Sequence, residues 1–208
     1  GIAYILAVVL GVVVGVVAAV NHGKWVDSVL MTISVFGISA PAFWIAIILQ
    51  IVICLKFNLL PLSGIDSFKS FILPGIALGT RYAASIARIT RTSMLDVLSQ
   101  DYIRTAEAKG LKGWVVTIKH ALRNALIPII TIAGSDLGNI LTGSVLVESV
   151  FSIPGIGKML VDSINTRDLP IVQGGVMYIA VICVIMYLVV DLLYTVVDPR
   201  IRLGKESS

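Results

Sequence analysis

Residues 2–20 read Ile2-Ala-Tyr-Ile-Leu-Ala-Val-Val-Leu-Gly-Val-Val-Val-Gly-Val-Val-Ala-Ala-Val20, a run without a charge. At 1.5 Å per helical residue this is about 28 Å, close to the thickness of a bilayer's hydrocarbon core. It closes on Asn21-His22-Gly23, a polar cluster whose glycine suits a helix end. The rest of the chain has the same character: 57% of the 208 residues are hydrophobic and 13% charged, with a mean hydropathy of +0.98. A soluble domain carries about 25% charged residues. Lipid is the solvent this composition fits.

Four more spans follow outward from the first. The second lies within the uncharged stretch Ser28 to Leu55. That stretch is longer than a bilayer core, so its first turns are expected in the interface and Pro41 marks a kink or a new helix start. The third runs from about Leu73 to Leu98, with Arg81 inside it and Arg88 and Arg91 toward its far end. The fourth runs from about Ala125 to Val147 around Asp136, and the fifth from about Leu169 to Val197, interrupted by Asp191. No recurring alternation of the barrel type, about ten residues per strand, is present. The expected fold is all-α: a polytopic membrane helix bundle of about five spans, one transmembrane domain over residues 1–208.

Alternating sides gathers Lys24, Arg88, Arg91, Arg104, Lys109, Lys112, Lys119, Arg123, Arg200, Arg202 and Lys205 on one face of the membrane. The other face keeps Lys56, Lys69, Lys158 and Arg167. Cytoplasmic loops are enriched in Lys and Arg, so the first face is expected to be cytoplasmic. Cys54 and Cys183 sit in apolar stretches far apart, which suits core packing rather than a disulfide or zinc framework. The chain opens inside an apolar run without Met or a basic leader, so it is expected to be a fragment of a longer protein.

Between the third and fourth spans the chain reads Asp101-Tyr-Ile-Arg-Thr-Ala-Glu-Ala-Lys-Gly110-Leu-Lys-Gly-Trp114, then Val-Val-Thr-Ile-Lys-His-Ala-Leu-Arg-Asn-Ala-Leu-Ile-Pro128. Asp101 is placed to cap a short helix over residues 102–109, which Gly110 ends in the left-handed conformation. Tyr102, Ile103 and Ala106 fall on one face of it, while Arg104 and Lys109 point elsewhere. A surface helix with one apolar face is read here as seated in a partner's groove. Residues 114–126 form an amphipathic lead-in to the fourth span.

This loop resembles the coupling loop of ABC importer permeases, in the form used by the dipeptide, oligopeptide and nickel branch. Arg104-Thr-Ala106, Ala108-Lys-Gly110-Leu and His120-Ala-Leu-Arg-Asn-Ala-Leu126 before Pro128 carry the likeness. Against the wider Glu-Ala-Ala…Gly…Ile-x-Leu-Pro pattern only Ala106, Gly110 and Leu122 match outright. Ala87-Arg-Ile-Thr-Arg91, Glu148-Ser-Val-Phe-Ser-Ile-Pro-Gly-Ile-Gly157 and Asp198-Pro-Arg-Ile-Arg202 agree with the same branch.

The resemblance implies a type I importer permease lacking its first helix and external region here. It would form half of a translocation pathway for peptides or a similar small solute in the bacterial inner membrane. Partners would be the bilayer, a second homologous permease, two ATP-binding subunits and an extracytoplasmic solute-binding protein, with no nucleic acid. Tyr102, Ile103, Arg104, Thr105, Ala106, Glu107, Ala108, Lys109 and Gly110 would couple to the ATPase; the loop of about 99–124 and the C-terminus would be cytoplasmic and the loop of about 148–170 external. The chain itself binds no cofactor and is not an enzyme; ATP and Mg belong to the ATP-binding partners, since no Gly-x-x-x-x-Gly-Lys-Ser/Thr occurs. An ion-coupled secondary transporter is the alternative, and it requires clustered mid-membrane carboxylates and an internal repeat.

Arg81 and Asp136 are costly in lipid and should face the interior or a wet cavity. They line the pathway, or bridge to each other, or Arg81 snorkels to an interface. Asp191 and Asp198 are read as anchors near Arg200 and Arg202. Gly155 to Asn165 is read as a short amphipathic helix on the outer face, either receiving the binding protein or lying as a lid over the spans. His22 and His120 lack partners at metal-ligand spacing and are taken as surface residues; no metal or catalytic site is expected.

Overall fold

Small residues recur at every fourth position on two segments, Ala3, Ala7, Gly11 and Gly15, and again Gly75, Gly79, Ala83 and Ala87. The computed structural model describes residues 1–64, 67–141 and 145–197. In it the two rows face each other along helices α1 (Ile2–Val20) and α4 (Ile72–Leu98). A β-carbon added at Gly11 would stand 2.6 Å from the Ala83 carbonyl oxygen, and one at Gly15 2.5 Å from that of Ala87. Gly75 and Gly79 lie against the methyls of Ala3 and Ala7. Close backbone approach of this kind drives helix association in lipid, where apolar burial no longer distinguishes protein from solvent.

The pairs advance together, Ala3 with Gly75 through Gly15 with Ala87, so α1 and α4 run parallel. The chain between them must therefore return across the membrane once. It does so as a broken span: α2 (Trp25–Ser39) ends before Pro41, α3 (Ala42–Leu49) starts after it and continues π-helically over Gln50–Lys56, and the two halves meet at 101°. The sequence pattern anticipated a break at Pro41. The ring has no N–H to donate and biases Ala40 toward an extended conformation, which Ala40 adopts at φ −76°, ψ 127°.

The third span is α4, and it is too polar to pass as a membrane helix by composition, unlike α1, residues 113–136 and residues 169–189. Packing resolves this. Helices α1, α2 and α3 and the later α7 (Arg123–Leu141) surround α4, burying Leu73, Ala77, Ala84, Ile86, Ala87, Thr90 and Met94. The final helix, α10 (Leu169–Val197), is the reverse case: strongly apolar and almost wholly exposed. Its surface faces lipid or another subunit.

Beyond α4 come α5 (Asp101–Ala108), a first turn α6 (Gly113–Val115), a π-helical segment Val116–Leu122, and α7. The expected start of the fourth span at Ala125 is corrected: the apolar membrane helix begins at Gly113 and reaches Asp136, because Lys119 and Arg123 lie on it without ending it. Residues 145–147, expected at its far end, lie in the helical stretch α8 (Val145–Val150). Helix α9 (Ile156–Asn165) matches the short helix expected over Gly155 to Asn165. All described residues are helical or in connecting loops, as the all-α reading required. The proposed anchors Asp198, Arg200 and Arg202 lie outside the described residues, as does the side chain of Asp191.

Two buried clusters hold the bundle, one at each end of α4. Ala19, Ile86, Met94, Ile103, Ala106, Val116, Ala121, Ala125 and Ile129 pack at the end carrying α5. Ala46, Cys54, Leu73, Ala77, Val147 and Phe151 pack at the other. Gly15→Leu should force α1 off α4 and lower stability by at least about 2 kcal/mol, as overpacking does. The exposed control Val13→Leu should leave the melting temperature of the purified protein unchanged.

Candidate coupling and translocation sites

Helix α5 starts after Gln100, so Asp101 is its first helical residue rather than its cap. Its far end is as the sequence implied. Gly110 adopts φ +77°, its N–H donates to Glu107 O (2.9 Å), and the Leu111 N–H reaches back to Ala106 O (3.4 Å). This paired return satisfies the last carbonyls and needs a left-handed residue, where a side chain would be strained.

The apolar face of α5 is turned inward. Ile103 and Ala106 are buried against Met94, Val116, Ala121 and Ala125 of this same chain. This corrects the reading that these two side chains seat in a partner's groove: periodicity identifies an apolar face but not what covers it. Tyr102 stays largely exposed, and its hydroxyl accepts from Asn124 Nδ2 at 3.1 Å. Arg104, Thr105, Glu107, Ala108, Lys109 and Gly110 face solvent. Helix α5 is thus bolted to the bundle on one side and open on the other.

A second polar group sits where α1, α4 and α7 meet. Tyr4, the sole polar-tipped side chain in the first span, is buried and donates from its hydroxyl to Ala133 O. Its ring stands edge-on to Tyr82, centroids 5.6 Å apart at 82°. Arg81 precedes Tyr82 on α4 and Asp136 lies on α7, and the two form no direct ion pair. Arg81 is exposed, Asp136 is half-buried, and Asp136 Oδ2 is buried without a hydrogen-bond partner among the described residues. The salt-bridge reading of this pair is therefore set aside. A carboxylate oxygen withdrawn from water in this way is costly until a donor or cation meets it.

Among the described residues the ion pairs lie elsewhere, at the turn after α1. Asp27, 4% exposed, takes Arg91 through both oxygens, Nε to Oδ1 at 2.6 Å and a terminal nitrogen to Oδ2 at 2.7 Å. The Gly23 N–H donates to Asp27 Oδ2 at 3.2 Å, and His22 Nδ1 lies 3.1 Å from that oxygen and 3.0 Å from the Arg91 guanidinium. His22, read from sequence as an ordinary surface residue, thus belongs to a three-residue clamp joining the α1–α2 turn to α4.

On the opposite end, the Glu148 carboxylate accepts from the Lys158 N–H at 2.8 Å, capping the first turn of α9. A β-carbon at Gly155 would fall 2.2 Å from Glu148 Cδ, and one at Gly157 3.0 Å from Glu148 Oε2. The Gly155-Ile-Gly157 pattern leaves room for this carboxylate. An open groove of about 500 Å³ runs along α9, lined by Pro154, Lys158, Met159, Asp162, Thr166 and Asp168 among others.

Residues 11–203 match the family described as binding-protein-dependent transport system inner membrane component. The chain belongs to that family. It is 45% identical over 198 residues to the glutathione transport system permease protein GsiC of Escherichia coli (strain K12), covering 95% of this chain and 65% of that protein. The same identity and coverage hold for the GsiC proteins of Shigella flexneri serotype 5b (strain 8401) and Salmonella choleraesuis (strain SC-B67). The chain therefore spans just under two thirds of these relatives' length. Its fold is that of a chain in a crystal structure of an amino acid ABC transporter with histidines, at TM-score 0.65 and 17% identity, covering 92% of this chain and 87% of that one.

Membership of this transport family agrees with the resemblance carried by the loop, and it describes a membrane component rather than a catalyst. The sequence singled out α5, Arg81 and Asp136 but missed Tyr4, Tyr82, Asp27 and Glu148. Tyr4 left a signal as the single polar-tipped residue of an otherwise aliphatic span, and Glu148 opens a stretch that carries the family likeness, though neither fact names a contact. The clamp is the most direct of these features to test. Arg91→Ala removes the permanent cation from the buried Asp27, leaving it only the Gly23 N–H and His22, and should cost on the order of 3 kcal/mol. Arg91→Lys, which keeps the charge but not the two-pronged geometry, should recover part of that in thermal melts of the purified protein.

Proposed function

We propose that this chain is a transmembrane subunit of an ATP-driven importer, forming half of a translocation pathway for a peptide or similar small solute. It lies in the bacterial inner membrane with residues 99–112, the part of the expected loop that precedes the span starting at Gly113, and the C-terminus on the cytoplasmic side. A second homologous permease, two ATP-binding subunits and an extracytoplasmic solute-binding protein complete the machine. ATP and Mg reside on the ATP-binding subunits, which carry out hydrolysis. The observation that carries this reading is the construction of α5: fixed to the bundle through Ile103 and Ala106, ended sharply at Gly110, and open along Arg104, Thr105, Ala108 and Lys109. A helix held this way transmits a partner's movement to the spans as a rigid body.

Glutathione, the solute in the relatives' name, is a small peptide with an ammonium and carboxylates at neutral pH. Arg81 and Asp136 offer the complementary charges at the α1–α4–α7 junction, and the buried Asp136 oxygen meets no donor among the described residues. At the other end, the α9 groove with Lys158, Asp162 and Asp168 offers both charge signs to an external binding protein.

Two variants test the reading separately. With the complete complex reconstituted, the double change Arg104→Glu with Ala108→Glu alters only exposed positions. It should abolish peptide-stimulated ATP turnover by more than tenfold while insertion and melting temperature hold; normal turnover would contradict coupling through α5. Asp136→Asn should lower peptide transport with the ATPase still docked, and unchanged transport would remove Asp136 from the pathway.

A further inference from the structure

We propose that the lead-in to the fourth span, residues 111–123, is a binding surface for anionic lipid headgroups in the leaflet on the coupling-helix side. The inference rests on residues 113–136 being a membrane span and is independent of the importer reading. That span is 24 residues long, about 36 Å at helical rise, against a hydrocarbon core of about 30 Å. Its first turn therefore stands in the headgroup layer. Trp114 sits there 69% exposed, and Ile118, one turn on, is 51% exposed. Leu111 adds a third exposed apolar side chain just before the helix. Tryptophan at this depth presents an apolar ring to the acyl boundary and its N–H to the headgroups.

The charges around this apolar strip carry the choice of lipid. Lys112, Lys119 and Arg123 are all exposed, and none forms an ion pair among the described residues. From residue 108 to residue 135 the sequence contains no carboxylate at all. Three cations without an ion-pair partner among the described residues, set before and after an exposed tryptophan, complement phosphate-bearing headgroups, and long Lys and Arg stems reach that level from within the core. The face is distinct from the solvent-facing positions of α5 proposed for the ATPase. The π-helical segment Val116–Leu122 forms the middle of this surface, so lipid held here would steady the entry of the span to which α5 is bolted.

The test uses the full-length chain in its complex, in nanodiscs of phosphatidylcholine mixed with phosphatidylglycerol, with one lipid at a time brominated on its acyl chains. The difference in quenching between the wild type and Trp114→Phe isolates the Trp114 signal. Brominated phosphatidylglycerol should quench Trp114 several-fold more than brominated phosphatidylcholine, with each cation contributing up to about fivefold. The preference should vanish in the variant Lys112→Gln, Lys119→Gln, Arg123→Gln and shrink as salt is raised in the wild type. Equal quenching by the two lipids overturns the proposal, and so does a Trp114 shielded from both, which would mean that protein covers it. Should the triple variant fail to assemble, the salt series on the wild type decides: a preference unmoved by salt also overturns the proposal.

Discussion

The close packing of α1 against α4 through two four-spaced rows of small residues is the constraint on which the rest of the structure depends. Each backbone approaches the other so nearly that a methyl at Gly11 or Gly15 would strike a carbonyl oxygen. Contact of that intimacy fixes both the register and the direction of the two helices. Because they are parallel, the segment between them must cross the membrane once in return, however sharply Pro41 bends it. The Asp27–Arg91 clamp reinforces the arrangement at the end where α1 turns into α2. There a buried carboxylate that would be costly alone is matched by a two-pronged cation from α4.

The same seam joins the two candidate functional regions. Helix α5 packs through Ile103 and Ala106 into a cluster that includes Ala19 of α1 and Ile86 and Met94 of α4. Farther along, Tyr4 of α1 and Tyr82 of α4 meet at the junction with α7, where Asp136 and Arg81 lie. Helix α5 thus packs directly on the two helices that carry the polar site. Helix α4 can be the most polar of the crossing helices because its neighbours, rather than lipid, solvate most of its surface.

How much of this was legible in the sequence differs by type of feature. Unbroken apolarity disclosed α1 and α10, and the lack of an N–H in Pro41 disclosed the break between α2 and α3. Gly110 was readable because only one backbone conformation ends a helix in that way. The coupling segment emerged from motif likeness, but the inward turn of Ile103 and Ala106 did not, since an apolar stripe is equally compatible with a partner's groove and with the chain's own core. Asp27 with Arg91, Tyr4 with Ala133, and Glu148 with Lys158 were invisible for a common reason: each joins separate elements, and nothing local to either residue names its mate. The fourth span was placed too late because Lys119 and Arg123 resembled loop charges, whereas long basic side chains on a helix can extend beyond the core boundary.

The claim on which the account turns is that the α1–α2 turn and α5 share one side of the membrane and α9 lies on the other. The direct measurement is labelling of single cysteines, Lys109→Cys and Lys158→Cys, in a background with Cys54 and Cys183 replaced, using a membrane-impermeant maleimide on cells whose outer membrane has been opened. The account predicts labelling of Lys158→Cys before lysis and of Lys109→Cys only after it. Labelling of both positions before lysis, or of Lys109→Cys alone, would contradict the parallel pairing of α1 and α4 across a single broken span or the assignment of sides built on it.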